Sequence, residues 1–284
     1  MNIKILMAPS LEKALEIKER FNGPLATVEA EYGDTVIEGA VTLAHHVAGW
    51  DSPPALASDN ILEESGVEPV DGDYILVSHV DLDTIMGIMN IANDMPFSEE
   101  VKKGVNFVDC NGQHNLFKEE VSEEARRVIL AYIGYAARNR CPQQEDITEY
   151  VRTLIQEFYN QDNYEAGLAL VEGRSKAAAE YLTAAVGSVA LLDQPESSNI
   201  FGLNSEYIIG GVEYDYVIVF NRKFGSITAS SKTGAKGEKN MATIMKAVFG
   251  EDAGGHKGIA GTPRGVRYTL EDATNLLDIM SRIV

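Results

Sequence analysis

Five histidines, at positions 45, 46, 79, 114 and 256, stand beside carboxylates or glycines, and each context could carry chemistry. The densest is Ser78-His79-Val80-Asp81-Leu82-Asp83-Thr84, which directly follows the apolar run Tyr74-Ile75-Leu76-Val77. A chain leaving a strand turns there, so ligands spaced two residues apart can converge on one cation. One imidazole and two carboxylates suit Mn²⁺, Mg²⁺, Fe²⁺ or Zn²⁺. An aspartate at this place also caps a following helix. That role uses one acid and leaves His79 and the second carboxylate unexplained. His79, Asp81 and Asp83 are therefore read as metal ligands.

Two further segments could complete such a centre. Val41-Thr42-Leu43-Ala44-His45-His46 ends an apolar run on paired imidazoles, with Asp51 and Asp59 downstream. The pair could supply a ligand and a phosphate contact; a surface pair, or one core histidine, is the alternative. Phe107-Val108-Asp109 reads as the end of a short strand, Val105 to Asp109, whose terminal carboxylate could bridge two cations. Gly112 could turn the chain so that His114 comes back toward Asp109, although Asn111-Gly112 is also an ordinary turn signal. Cys110 reads as a small buried residue.

The fourth context is Gly254-Gly255-His256-Lys257-Gly258-Ile259-Ala260-Gly261. Glycines let backbone N–H groups approach a phosphate, and His256 and Lys257 add side-chain donors. A structural glycine turn is the alternative. The segment lacks the Gly-Lys-Ser/Thr of a P-loop, and it follows a predicted helix, which excludes a dinucleotide fingerprint.

These residues need elements to position them. Asn2 to Ala8 predicts a strand and Ser10 to Phe21 a helix capped by its serine. Asp73 to His79 predicts a buried strand, Thr84 to Ala92 a helix. Strand and helix alternation over the first 110 residues predicts an α/β fold with a mostly parallel sheet and sites at its carboxyl ends. Val121 to Arg138, Asp146 to Tyr159 and Glu165 to Val186 predict helices. The polar stretch Asp193 to Asn204 reads as a linker or turn, separating domains at 1–192 and 200–284. Beyond it come strands at Tyr207 to Ile209, Tyr214 to Phe220 and Gly225 to Ser230, then helices at Met241 to Phe249 and Leu270 to Ile283.

Bulk properties narrow the setting. The 284 residues are 45 % hydrophobic and 24 % charged, an ordinary globular composition. With no long apolar run, a signal-free start and only Cys110 and Cys141, a cytoplasmic protein without membrane contact is expected. The net charge of −19 argues against a general nucleic-acid coat. Between Arg222 and Arg267, however, nine basic residues face three acids, leaving +6 in this span and −25 elsewhere. Such an island suits one anionic ligand at one place, or is a solvated basic surface.

The C-terminal glycine segment resembles the Gly-Gly-His-x-x-Ala-Ala-Gly signature of the DHH-associated domain, and His79-x-Asp81-x-Asp83 is similar to the first metal motif of the DHH phosphoesterase superfamily. That superfamily includes RecJ-like exonucleases, oligoribonucleases and inorganic pyrophosphatases. The resemblance implies two divalent cations, usually Mn²⁺, and hydrolysis of a phosphoester by an activated water. It implies His79, Asp81, Asp83 and Asp109 as metal ligands, and His45 and His46 as catalytic residues, a further ligand or a phosphate contact. Lys232, Gly254, Gly255, His256 and Lys257 would bind substrate across an interdomain cleft. The substrate would be a phosphate-containing small molecule or short oligonucleotide, and a homodimer is compatible with the pattern. Departures are plain. No Asp-His-His triplet occurs, Ala44-His45-His46 precedes the first motif, and Ser230-Ser231-Lys232 replaces an arginine-containing segment. Asp146 and Asp162 are the candidates for the last metal-binding aspartate. A non-catalytic phosphate- or nucleotide-binding protein with a reduced metal site is the alternative implied.

Overall fold

The computed structural model describes all residues except 1, 2, 22, 93–96, 199, 201, 235–237, 256, 264 and 284. The chain folds into two compact units, residues 1–109 with 118–168, and 110–117 with 169–284.

In the first unit, β1 (Lys4–Met7), β2 (Ala26–Val28), β3 (Val41–Leu43) and β4 (Tyr74–Val77) form a sheet of order β1-β4-β2-β3. All its pairings are parallel. Strands β2 and β4 are buried on both faces, which explains why they read as continuous apolar runs and not as alternating patterns. Helix α1 (Leu11–Arg20) begins at Ser10, whose hydroxyl accepts the Lys13 N–H, a cap contributing about 1 kcal/mol. Its Ala14 and Ile17 pack against Leu6, Tyr74 and Leu76 of the sheet. Helix α2 (Leu82–Ala92) is buried along almost its whole length. Helices α3 (Glu99–Asn111), α4 (Glu123–Arg138) and α5 (Thr148–Gln156) follow, and α6 (Gln161–Tyr181) spans the division at 168 and 169. The outer edge of β1 is covered by residues 145–147: Met7 N–H donates to the Glu145 carbonyl, and Ile147 N–H to that of Ile5. Thr148 Oγ1 accepts the Ile5 N–H at 2.9 Å.

The second unit holds a mixed sheet of β5 (Leu182–Val186), β6 (Val189–Gln194), β7 (Tyr216–Asn221), β8 (Ser226–Ser231), β9 (Gly254–Gly255) and β10 (Ile259–Gly261). Its order is β9-β10-β8-β7-β6-β5. Alternate residues of β6 and β7 enter opposite cores. Leu191 and Ile218 meet α7 (Met241–Phe249) and α8 (Leu270–Ile283), while Leu192 and Val217 meet Leu203 and Tyr207.

Three expectations are corrected. Val105 to Asp109 is not a strand but the second half of α3; Val101, Val105 and Val108 recur at helical spacing on its buried side. The helix expected over Glu165 to Val186 stops at Tyr181, and its last five residues pair with β6. Residues 182–194 therefore belong to the second sheet. The chain divides at 168 and 169, not within the polar stretch after 192.

Candidate metal centre

Parallel pairing places the carboxyl ends of β2, β3 and β4 side by side, the position where α/β sheets carry their sites. Glu29 follows β2, His45 and His46 follow β3, and Ser78, His79 and Asp81 follow β4. Asp83 opens α2, and Asp109 comes from the last turns of α3. The structure thus brings His45, His46, His79, Asp81, Asp83 and Asp109 together, around one residue that sequence reasoning missed, Glu29.

Glu29 occupies the middle. Its side chain is 0 % exposed, and Oε1 lies 3.3 Å from His45 Nε2 and 3.0 Å from His46 Nε2. Its Oε2 lies 3.5 Å from His79 Nε2 and accepts the Thr84 hydroxyl. His79 Nε2 also stands 3.1 Å from Asp81 Oδ2. His45, 5 % exposed, holds Nε2 3.3 Å from Asp83 Oδ2 and 3.5 Å from Asp109 Oδ2. His46 and His79 are about half exposed, at 50 % and 51 %, and form the solvent side of the cluster.

Supporting contacts fix one oxygen of Asp83 and one of Asp81 and leave the other for the cluster. Ala55 N–H donates to Asp83 Oδ1 at 2.8 Å, and Thr84 N–H to Asp81 Oδ1 at 2.9 Å. Tyr132 holds the intervening turn, its hydroxyl donating to the Val80 carbonyl at 3.2 Å. Asp83 Oδ2 and Asp109 Oδ2 are buried and accept no hydrogen bond from any described residue. Glu29 has φ 47°, the sole positive φ outside glycine among the described residues. A left-handed conformation costs a non-glycine residue about 1–2 kcal/mol, and such strain gathers at functional sites.

Electrostatics agree with the geometry. Burial alone would raise the Glu29 carboxyl, but hydrogen bonds from His45 and His46, the His79 charge and the Thr84 hydroxyl outweigh it and hold the group well below the usual range. Burial, then the charges of Asp83, Asp81 and Glu29, push Asp109 up to about 7. Burial also raises Asp83, against the pull of the neighbouring His45 imidazole. For His79 burial acts downward, but Asp81, Glu29 and Asp109 together raise it to about 9. The Glu29 hydrogen bond raises His46. Buried carboxylates that repel one another, with two oxygens lacking donors, form a site that a cation would satisfy.

The donor set fits a divalent cation. Ligand bonds of about 2.1 Å put neighbouring octahedral ligands about 3.0 Å apart, and the His–carboxylate separations run from 3.0 to 3.5 Å around Glu29 and His45. Two ligand groups share one carboxylate: Glu29 with His45 and His46, and Glu29 with His79 and Asp81. The sequence carried a faint signal for Glu29, since the short run Leu25-Ala26-Thr27-Val28 ends on an acid, as Tyr74 to His79 is a run ending on an imidazole.

Other candidates lie elsewhere. Asp146 lies just before α5, its Oδ1 accepting the Thr148 hydroxyl at 2.7 Å. Asp162 is exposed in the first turn of α6. Asp59 pairs with the buried Lys102. His114 packs edge-on against Tyr207 in the second unit, with ring centroids 4.7 Å apart. Cys110 is half-buried and directly follows Asp109 in the last turn of α3. Lys232 is engaged by Glu213 at 2.8 Å, and Lys257 is exposed. Gly254 and Gly255 form β9; a Cβ on Gly255 would stand 2.4 Å from the Ile259 carbonyl oxygen. The glycine there serves the tight β9–β10 pairing, whatever its neighbours bind. His256 lies outside the described residues. Among the described residues, no helix is long and apolar enough to cross a membrane.

No family model and no curated protein matches this chain. Among solved structures, a pGpG-specific phosphodiesterase, PggH, from Vibrio cholerae is similar at 10 % identity and a TM-score of 0.47, over 99 % of this chain and 98 % of that one. An uncharacterized protein from Helicobacter pylori G27 is similar at 13 % identity and a TM-score of 0.28, over 98 % of this chain and 83 % of that one. At these values neither likeness bears on what the chain does, and the functional reading stands on the residues themselves.

Proposed function

We propose that this protein is a phosphoesterase of the DHH type that uses divalent cations held by the first unit. The observation that carries this reading is the buried Glu29 carboxylate. One of its oxygens faces His45 and His46 and the other faces His79, beside the carboxylates of Asp81, Asp83 and Asp109. His45, Glu29, Asp83 and Asp109 would hold one cation, and Glu29, His79 and Asp81 a second, Mn²⁺ being the expected ion. When bound, such cations lower the pKa of a water and stabilise charge on an in-line phosphoryl transition state.

The chain's own residues do the remainder. Buried Glu29, Asp83 and Asp109 concentrate negative charge that only a cation offsets, so an anionic substrate is admitted only to the loaded site. His46, half exposed, is placed to donate to a non-bridging phosphate oxygen, and its raised pKa favours the donor form. Gly254, Gly255, His256 and Lys257 are assigned to the substrate phosphate from the resemblance to the DHH-associated domain. Lys232 would join them only by giving up Glu213. The substrate is proposed to be a small phosphoester or short oligonucleotide.

The test is a panel of bis-p-nitrophenyl phosphate, dinucleotides, pyrophosphate and nucleoside bisphosphates with added Mn²⁺, alongside elemental analysis of the purified protein. Turnover that EDTA removes and Mn²⁺ restores is expected. Stoichiometric cation with no turnover across the panel would favour the phosphate-binding alternative. A protein that takes up no cation would end the reading.

A further inference from the structure

The Ser78 hydroxyl stands between two parts of the cluster. It contacts the backbone carbonyl of Glu29 and lies 2.8 Å from His79 Nδ1. A carbonyl oxygen can only accept, so the hydroxyl donates its one proton there. Toward His79 the same oxygen has only lone pairs left, and the contact must be Nδ1–H to Oγ. That leaves the Nε2 lone pair of the neutral ring directed at the space shared with Asp81 Oδ2, 3.1 Å away, and Glu29 Oε2, 3.5 Å away.

We infer that Ser78 is a positioning residue, which selects the Nδ1–H form of His79 and so presents Nε2 as the cation ligand, while pinning the carbonyl of the strained Glu29. Ligating histidines are commonly oriented through their second ring nitrogen, and loss of such a partner lowers metal affinity by about 10–100-fold. Here the partner is a hydroxyl, and it reaches the backbone of the very residue whose side chain is the shared carboxylate. The His79 ring and the left-handed turn at Glu29 therefore move as one piece. Thr84 donates to Oε2 of the same carboxylate, the oxygen that faces His79. The inference deepens the cation-site reading and rests on it for the ligand role of His79.

The test uses the full chain labelled with ¹⁵N-histidine, as wild type, Ser78→Ala and Ser78→Thr. Side-chain ¹⁵N spectra are taken with diamagnetic Zn²⁺, and without metal at a pH where the ring is neutral. Wild type should show His79 with a protonated Nδ1 and, on Zn²⁺ addition, a shift confined to Nε2. Ser78→Ala should show both tautomers of His79 and bind Zn²⁺ about 10–100-fold more weakly. Ser78→Thr, which keeps the hydroxyl, should restore both readouts. A wild-type His79 protonated at Nε2 would overturn the inference, even if the alanine variant failed to fold. Unchanged tautomer and affinity in Ser78→Ala would do the same. If wild type takes up neither Zn²⁺ nor Mn²⁺, the cation reading fails by itself, and the metal-free tautomer still decides the role of Ser78.

Discussion

Replacing Glu29 by Gln is the most informative single perturbation of the first unit. The amide has the same shape but one acceptor oxygen in place of two. Either its NH₂ faces His45 and His46, whose Nε2 atoms stand 3.3 and 3.0 Å from Oε1, or it faces His79 at 3.5 Å. In both orientations a ligand is lost, and the shared negative charge is gone. A cation present at 100 times its Kd stabilises the folded state by about 2.7 kcal/mol. At about 2–4 °C per kcal/mol for a unit of this size, each occupied site should raise Tm by about 5–11 °C. Thermal unfolding of wild type with and without Mn²⁺ should show a rise in this range, or about twice it for two sites. Glu29→Gln should show a rise of less than about 2 °C on the same scale. Each variant is compared with itself, so any intrinsic change in stability cancels. A Glu29→Gln protein that keeps the wild-type rise would make Glu29 a counter-ion to the histidines and nothing more.

Three other outcomes follow from the same geometry. Asp81→Asn touches only the group that contains His79 and should remove about half of the Mn²⁺ counted by elemental analysis; complete loss would mean that the two groups are not separable. Cation binding needs a neutral His79, raised to about 9, and an ionised Asp109, raised to about 7, so affinity should climb with pH up to about 9. Calorimetry in buffers of different ionisation enthalpy should detect roughly one proton released per protein near pH 8 and more below pH 7, and a pH-independent affinity would contradict the cluster. In the metal-free protein the sign reverses: the charged His79 stabilises fully below its ordinary 6.5, and that contribution is lost through about 9, so metal-free Tm should fall over this window. Gly255→Ala forces a Cβ to within 2.4 Å of the Ile259 carbonyl oxygen and should destabilise the second unit by about 1–3 kcal/mol in denaturant unfolding, with metal content unchanged.

Much of this was legible from residue order. Helices over Met241–Phe249 and Leu270–Ile283 match their predicted limits, because their apolar spacing and flanking turns are unambiguous. The strand before His79 was equally plain. What failed did so for identifiable reasons. Val105 to Asp109 is a short apolar run, which periodicity alone cannot assign; α3 begins six residues earlier, and the run supplies part of its buried side. Leu182 to Val186 has the composition of a helix end but is held as a strand by pairing with β6, a tertiary contact with no local signature. Glu29 escaped because one glutamate after a short run looks like any surface acid until the neighbouring strands are known. The chain order of the histidines was also misleading. His45-His46 and His79 are far apart in sequence, yet β3 and β4 both flank β2, so all three rings surround the residue that ends it.

The cover on β1 has a consequence for synthesis of the chain. Strand β1 is synthesised well before its cover: Thr148, which receives the Ile5 N–H, is 143 residues later. At about 5–20 residues per second, the nascent chain carries an open, apolar strand edge for about 7–29 s before its cover exists. The other neighbour, β4, arrives only about halfway through that interval, on the same scale of elongation. An uncovered strand edge is a template for pairing with another chain. Elongation speed between β1 and residues 145–148, and whatever shields the β1 edge during that interval, should therefore govern how much of this protein reaches the folded state.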